Sequence, residues 1–228
     1  MDKQIQYFQN YPLHFGVLIS TIFPIIILLM RRDESKSLRI FFYYLIVKLI
    51  IDIITDIYSA NRINNIAYNN LWLIVSFWIV SYYFYNVFFD LGYKKYIKYC
   101  GVIFTIIFFI DLAICNLDSL TSSDIKFVLY ASPIKCIIIC SYCFLFLYEL
   151  IEEVYLAELT RSSHFCIVCG LLAYNCSSMF TSALYNMYFT WDNHEALYFV
   201  CHIPYYFEIV LMIIVSIGFI RSKNTLES

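Results

Sequence analysis

Lys48, Asp52 and Asp56 lie at i, i+4 and i+8 within an otherwise apolar stretch, residues 38–58, so on a helix they drift slowly around the axis and share one face. A charge set in hydrocarbon costs between about 2.5 and 10 kcal/mol, so that face must look into protein. The same chemistry recurs further along, in Asp111, Lys135, His202 and Glu208, each within an apolar run. Two readings follow. Ammonium and carboxylate groups pair to fix helix register, Lys48 with Asp52 and Lys135 with Asp111 or Glu208. Alternatively, the same groups line a pocket that takes a solute, an ion or a proton. Asp52, Asp56, Asp111 and Glu208 outnumber Lys48 and Lys135, so the sequence predicts that at least one of the four acids is protonated or faces water.

No catalytic constellation is legible. There is no G-x-S-x-G elbow, no nucleophile paired with a base, and His202 is the sole histidine well inside an apolar run, with His14 at an edge. That falls short of the histidine set of a seven-helix zinc hydrolase. The last apolar run, 197–220, has no lysine for a retinal Schiff base. Pro24 and Pro133 fall where the two halves of a small repeat transporter would carry them, but no Pro-Gln motif occurs. Cys136, Cys140 and Cys143 form an i, i+4, i+7 stripe, echoed by Cys166, Cys169 and Cys176, and thiols suit soft metals. Neighbouring basic groups that would ionise them are lacking, so neither a metal nor a cofactor is called for. Cys115 and Cys201 end near one interface, where a disulfide is conceivable.

The elements that must position these groups are set by composition. Hydrophobic residues make up 62% of the 228, charged residues 14%, and the mean hydropathy is +0.72, which places the chain in a lipid bilayer. Net charge is −2, and no basic run interleaves with aromatics, so nucleic-acid binding is excluded. The hydropathy predicts an all-α bundle of seven transmembrane helices in a single domain, with spans at about 13–30, 38–58, 68–89, 97–116, 127–148, 164–188 and 197–220. The first apolar run lacks the flanks of a cleavable signal and is expected to stay in the membrane.

Orientation follows from the cations between spans. Arg31, Arg32, Lys36, Arg39, Lys94, Lys95, Lys98, Arg161, Arg221 and Lys223 fall on one side, against Lys3, Arg62 and Lys126 on the other. The N-terminus is therefore expected outside and the C-terminus in the cytoplasm, in a multi-pass protein of the cytoplasmic membrane. At about 1.5 Å per residue, Lys48 lies near the midplane, with Asp52 about 6 Å and Asp56 about 12 Å further out. Asn86, Asn175 and Asn186 are expected to hydrogen-bond between helices, and Pro24, Pro133 and Pro204 to interrupt their spans. Glu149, Glu152, Glu153 and Glu158 put an acidic face on a cytoplasmic continuation of the fifth helix, a candidate docking surface for a partner protein.

Asn69-Asn70-Leu71-Trp72 opening the third span, Phe165 with Gly170-Leu171-Leu172 and Tyr174 in the sixth, and His202 early in the seventh carry a resemblance. The chain resembles an uncharacterised family of small bacterial seven-helix membrane proteins, a likeness that implies the fold and no activity. The expectation is a non-enzymatic sensor or transducer that works through a membrane or cytoplasmic partner. The alternative is a transporter of a small solute or ion, or a pore built from several copies of the chain.

Overall fold

The computed structural model describes residues 7–8, 11–30, 35–116, 127–153, 162–188 and 194–223. Among these residues there are seven α-helices and no strand: α1 Pro12–Leu29, α2 Lys36–Ala60, α3 Ile66–Val87, α4 Leu91–Asn116, α5 Ala131–Glu153, α6 Ser163–Tyr188 and α7 His194–Lys223. α2, α4 and α7 outrun their apolar windows, because charged residues such as Lys94 and Lys95 propagate a helix about as well as leucine does. α1, α4, α5, α6 and α7 are each long and apolar enough to cross a membrane. α2 is equally long but carries Lys48, Asp52 and Asp56, and α3 is diluted by Tyr, Asn and Ser.

Local chemistry sets the boundaries. Ser35 caps α2 by accepting from the Leu38 N–H at 3.4 Å. The α2–α3 hairpin turns at Arg62, whose φ of 58° is left-handed. Asn65 ties that hairpin down, donating to the Ser59 hydroxyl at 2.8 Å and the Thr55 carbonyl at 3.3 Å. Pro24 and Pro204 lie within helices that continue past them. Pro133, expected to interrupt its span, is in the first turn of α5, where a missing N–H leaves no helical carbonyl unpaired.

Successive helices run antiparallel, and their contacts close a ring. α1 packs on α2 and α7, α7 on α6, α6 on α5, and α5 on both α4 and α3, with α3 returning to α2. Because α3 and α5 touch directly, α4 lies to the outside of the ring. α6 and α7 share the most extensive interface. Two glycines explain how closely they approach: a Cβ on Gly170 would stand 2.5 Å from Leu211 Cδ1, and one on Gly218 would stand 2.5 Å from Cys166 Cβ.

The two ends of the ring differ. The end marked by Ser35 buries Phe41, Tyr83, Phe84, Phe88, Tyr142 and Phe219 fully, with tilted ring pairs such as Phe84–Tyr142 and Phe41–Tyr83, each at 5.6 Å between centroids. At the end that holds Asn65, the interior is polar.

Candidate functional site

Lys48 lies halfway along α2 and is only 3% exposed, so its ammonium must find acceptors inside the protein. It finds two. Asp52, one turn along the same helix, and Glu208, halfway along α7, both ion-pair with the Lys48 Nζ. α2 and α7 are both neighbours of α1, and the lysine links them through the interior of the ring. The Glu208 carboxylate is buried, whereas the Asp52 side chain keeps 23% of its surface open. Tyr44 and Tyr174 are close enough to feel the Glu208 charge, and Tyr205 feels Glu208, Asp52 and Asp56.

Lys135 was expected to pair with Asp111 or Glu208. Its Nζ instead donates to the Ser76 hydroxyl on α3 at 2.7 Å, and among the described residues no carboxylate lies within 4 Å of it. It remains within electrostatic range of Glu208 and Lys48. Two amines, Lys48 and Lys135, thus stand near two carboxyl groups, Asp52 and Glu208, at the centre of the bundle.

Asp111 does different work. Its Oδ2 accepts from the backbone N–H groups of Tyr130 and Ala131, at 2.8 and 2.7 Å, where α5 begins, and Cys115 donates to its Oδ1 at 3.4 Å. A carboxylate at a helix N-terminus meets orphan donors and the positive end of the dipole. Asp111 is therefore balanced by a helix start, not by a lysine, which sequence spacing had no means to disclose.

Towards the Asn65 end, Asp56 completes the stripe begun by Lys48. His14 Nδ1 lies 3.0 Å from Asp56 Oδ1, and the Tyr7 hydroxyl donates to the same oxygen at 3.4 Å. The imidazole is surrounded by rings, with centroids 4.6 Å away for Tyr205, 5.8 Å for Tyr7 and 6.0 Å for Tyr11. Burial and the Asp56 charge push the Tyr7 phenol up to about 12. His202 lies half-buried on α7, its ring 6.0 Å from that of Tyr205. His14 beside Asp56 and the start of α5 beside Asp111 are partners that a count of acids against lysines leaves out, and Asp52 keeps part of its surface open.

Of the acids read as a docking face, Glu149 is buried and engaged by the chain itself. Its Oε1 accepts from the N–H groups of Phe89 and Asp90, at 3.1 and 3.0 Å, in the short link between α3 and α4. The side chains of Glu152 and Glu153, and Glu158 altogether, lie outside the described residues, as do the side chains of Cys201 and Asn186. Asn86 and Asn175 donate to carbonyls of their own helices, Tyr82 and Leu171, and not across an interface. Asn70, by contrast, reaches beyond its own helix, accepting from the Val128 N–H at 3.2 Å.

A second polar junction escaped the sequence reading. His164, at the start of α6, pairs its Nδ1 with the Tyr83 hydroxyl at 2.9 Å and its Nε2 with the Ser37 hydroxyl at 3.4 Å, joining α6, α3 and α2 at the Ser35 end. It opens the sixth apolar run, and its partners lie on two other helices, which spacing along one helix does not convey. Among the described residues, no three His, Cys, Asp or Glu side chains converge as metal ligands. No family model, curated protein or solved structure matches the chain.

Proposed function

We propose that this chain is a one-domain, seven-span protein of the cytoplasmic membrane, N-terminus outside, which senses a solute or ionic condition at its outer, Asn65 end and passes its state to a partner protein. In this reading α2 and α3 cross the bilayer with the five more apolar helices, the charges of α2 being tolerable because they face Glu208 and His14 and not lipid. Lys94, Lys95 and Lys98, near the Ser35 end, favour the cytoplasm for that end.

The single observation that carries the reading is the division of the interior. Ionisable groups run from Tyr7, His14 and Asp56 through Asp52 to Lys48 and Glu208, whereas the Ser35 half is filled by packed aromatics, with Glu149 and His164 each hydrogen-bonded within the chain. A polar half backed by a half of packed aromatics suits a receptor better than a passage. The partly open Asp52 is the residue at which an entering cation or proton would first meet the Lys48 pair.

Reconstitution into vesicles tests this. The sensing role predicts no cation, anion or proton flux above that of empty vesicles, together with a partner recovered in fixed proportion when the protein is purified in mild detergent. Flux that vanishes in Asp52→Asn or Glu208→Gln would replace it with the transport reading.

A further inference from the structure

α5 and α6 meet across a row of thiols. Cys136, Cys140 and Cys143 line α5, and Cys169 and Cys176 lie on the facing part of α6. Cys140 Sγ and Cys176 Sγ are in direct contact, 3.7 Å apart. A disulfide bond is about 2.05 Å long, so each sulfur need move inward by less than about 1 Å, within reach of a χ1 rotation. Cys140 is buried and Cys176 half-exposed, so a small lipid-soluble oxidant has a way in from the Cys176 side. The pair is also well placed to matter. Lys135 precedes Cys140 on α5 and Tyr174 precedes Cys176 on α6, and both are within electrostatic range of Glu208.

We propose that Cys140 and Cys176 are a redox-active pair whose oxidation to a disulfide locks α5 to α6 behind the Lys48–Glu208 link. The step is a two-electron oxidation: both S–H bonds break, an S–S bond forms, and two protons and two electrons leave. A quinone takes them to become a quinol, or hydrogen peroxide takes them to become two molecules of water. A dithiol reductant reverses it by exchange. The inference does not depend on what the protein senses.

The test uses the full chain. Between Lys135 and Arg221 the sequence has a single tryptic site, Arg161, so digestion separates the peptide with Cys140 from the peptide with Cys176 unless a bond joins them. Protein in lipid vesicles is treated with a short-chain quinone or with hydrogen peroxide, capped with a maleimide, denatured, digested without reductant and read by mass spectrometry. The expected result is a linked pair of peptides in most chains, fragmenting to a Cys140–Cys176 bond and released by dithiothreitol. Cys140→Ala and Cys176→Ala each abolish it, and Cys136→Ala leaves it intact. Absence of the linked pair in the wild-type chain, or linkage distributed equally over Cys136 and Cys143, overturns the proposal, and the wild-type fragmentation decides this even if a variant does not fold.

Discussion

Lys48 donates to Asp52 on its own helix and to Glu208 on α7, so that one ammonium holds two carboxylates from two helices. Burying an ion pair is a poor source of net stability, because desolvation offsets most of the attraction. Breaking one is costly, because the remaining charge stays buried without a partner.

That asymmetry gives the first prediction. Lys48→Met leaves Asp52 and Glu208 with no ammonium between them and is expected to lower stability by about 3–5 kcal/mol. Adding Asp52→Asn and Glu208→Gln to the same chain removes the stranded charges and should return most of the loss. Thermal denaturation in detergent distinguishes the two chains. A triple variant as unstable as the single one would mean that the lysine matters by its bulk and not its charge.

Asp111 supplies the second. The carboxylate satisfies two N–H groups at the start of α5, and an isosteric apolar residue leaves both unpaired. Asp111→Leu is expected to cost about 2–4 kcal/mol on that count, whereas Asp111→Asn, which keeps an accepting oxygen, costs less than about 1.5. Hydrogen exchange at the Tyr130 and Ala131 amides should accelerate in the leucine variant only.

The sequence carried a good deal of this and missed the rest for definable reasons. The apolar runs foretold the existence and order of the helices, although α4 begins six residues before its run and α5 ends five after, and the i, i+4, i+8 spacing of Lys48, Asp52 and Asp56 placed all three towards the interior, where their partners lie. What spacing along one helix does not convey is which neighbour supplies the counter-charge. Glu208 over Asp111 as a charge near Lys135, His14 as the partner of Asp56, and the backbone of residues 130–131 as the partner of Asp111 are all consequences of the ring order. Glu149 illustrates the same point. Its run of neighbouring acids reads as a solvated face, yet the short α3–α4 link exposes two N–H groups that draw this one inward.

Tyr7 gives a pH prediction. Burial and the nearby Asp56 charge favour the neutral phenol in the folded chain, with ionisation near 12 against 10 when exposed. A raised acid pKa stabilises the docked segment below pH 10, and the contribution is lost as the pH rises from 10 through 12. Between those limits the wild-type chain should therefore lose stability more steeply than Tyr7→Phe. Tryptic release of the N-terminal segment at Lys3 does not report on this contact, so denaturation midpoints measured across the range are the appropriate check.

The last prediction concerns how α6 and α7 come together. A Cβ at Gly218 would stand 2.5 Å from Cys166 Cβ and 3.6 Å from Ser163 Cα, atoms fixed to the backbone of α6 that cannot swing aside. Gly218→Ala must push the helices apart at the most extensive interface in the ring, and a loss of about 1–3 kcal/mol is expected. Gly16 on α1 offers the contrast, since an added Cβ there meets only the terminal methyl of Ile209, at 3.3 Å. That methyl can rotate away, and alanine gains about 0.5–1 kcal/mol over glycine within a helix. Gly16→Ala is therefore expected to be neutral or mildly stabilising under the same denaturation conditions. Cys166→Ala should not rescue Gly218→Ala, because the clash is with the Cβ that alanine retains, whereas Cys166→Gly should recover part of the loss.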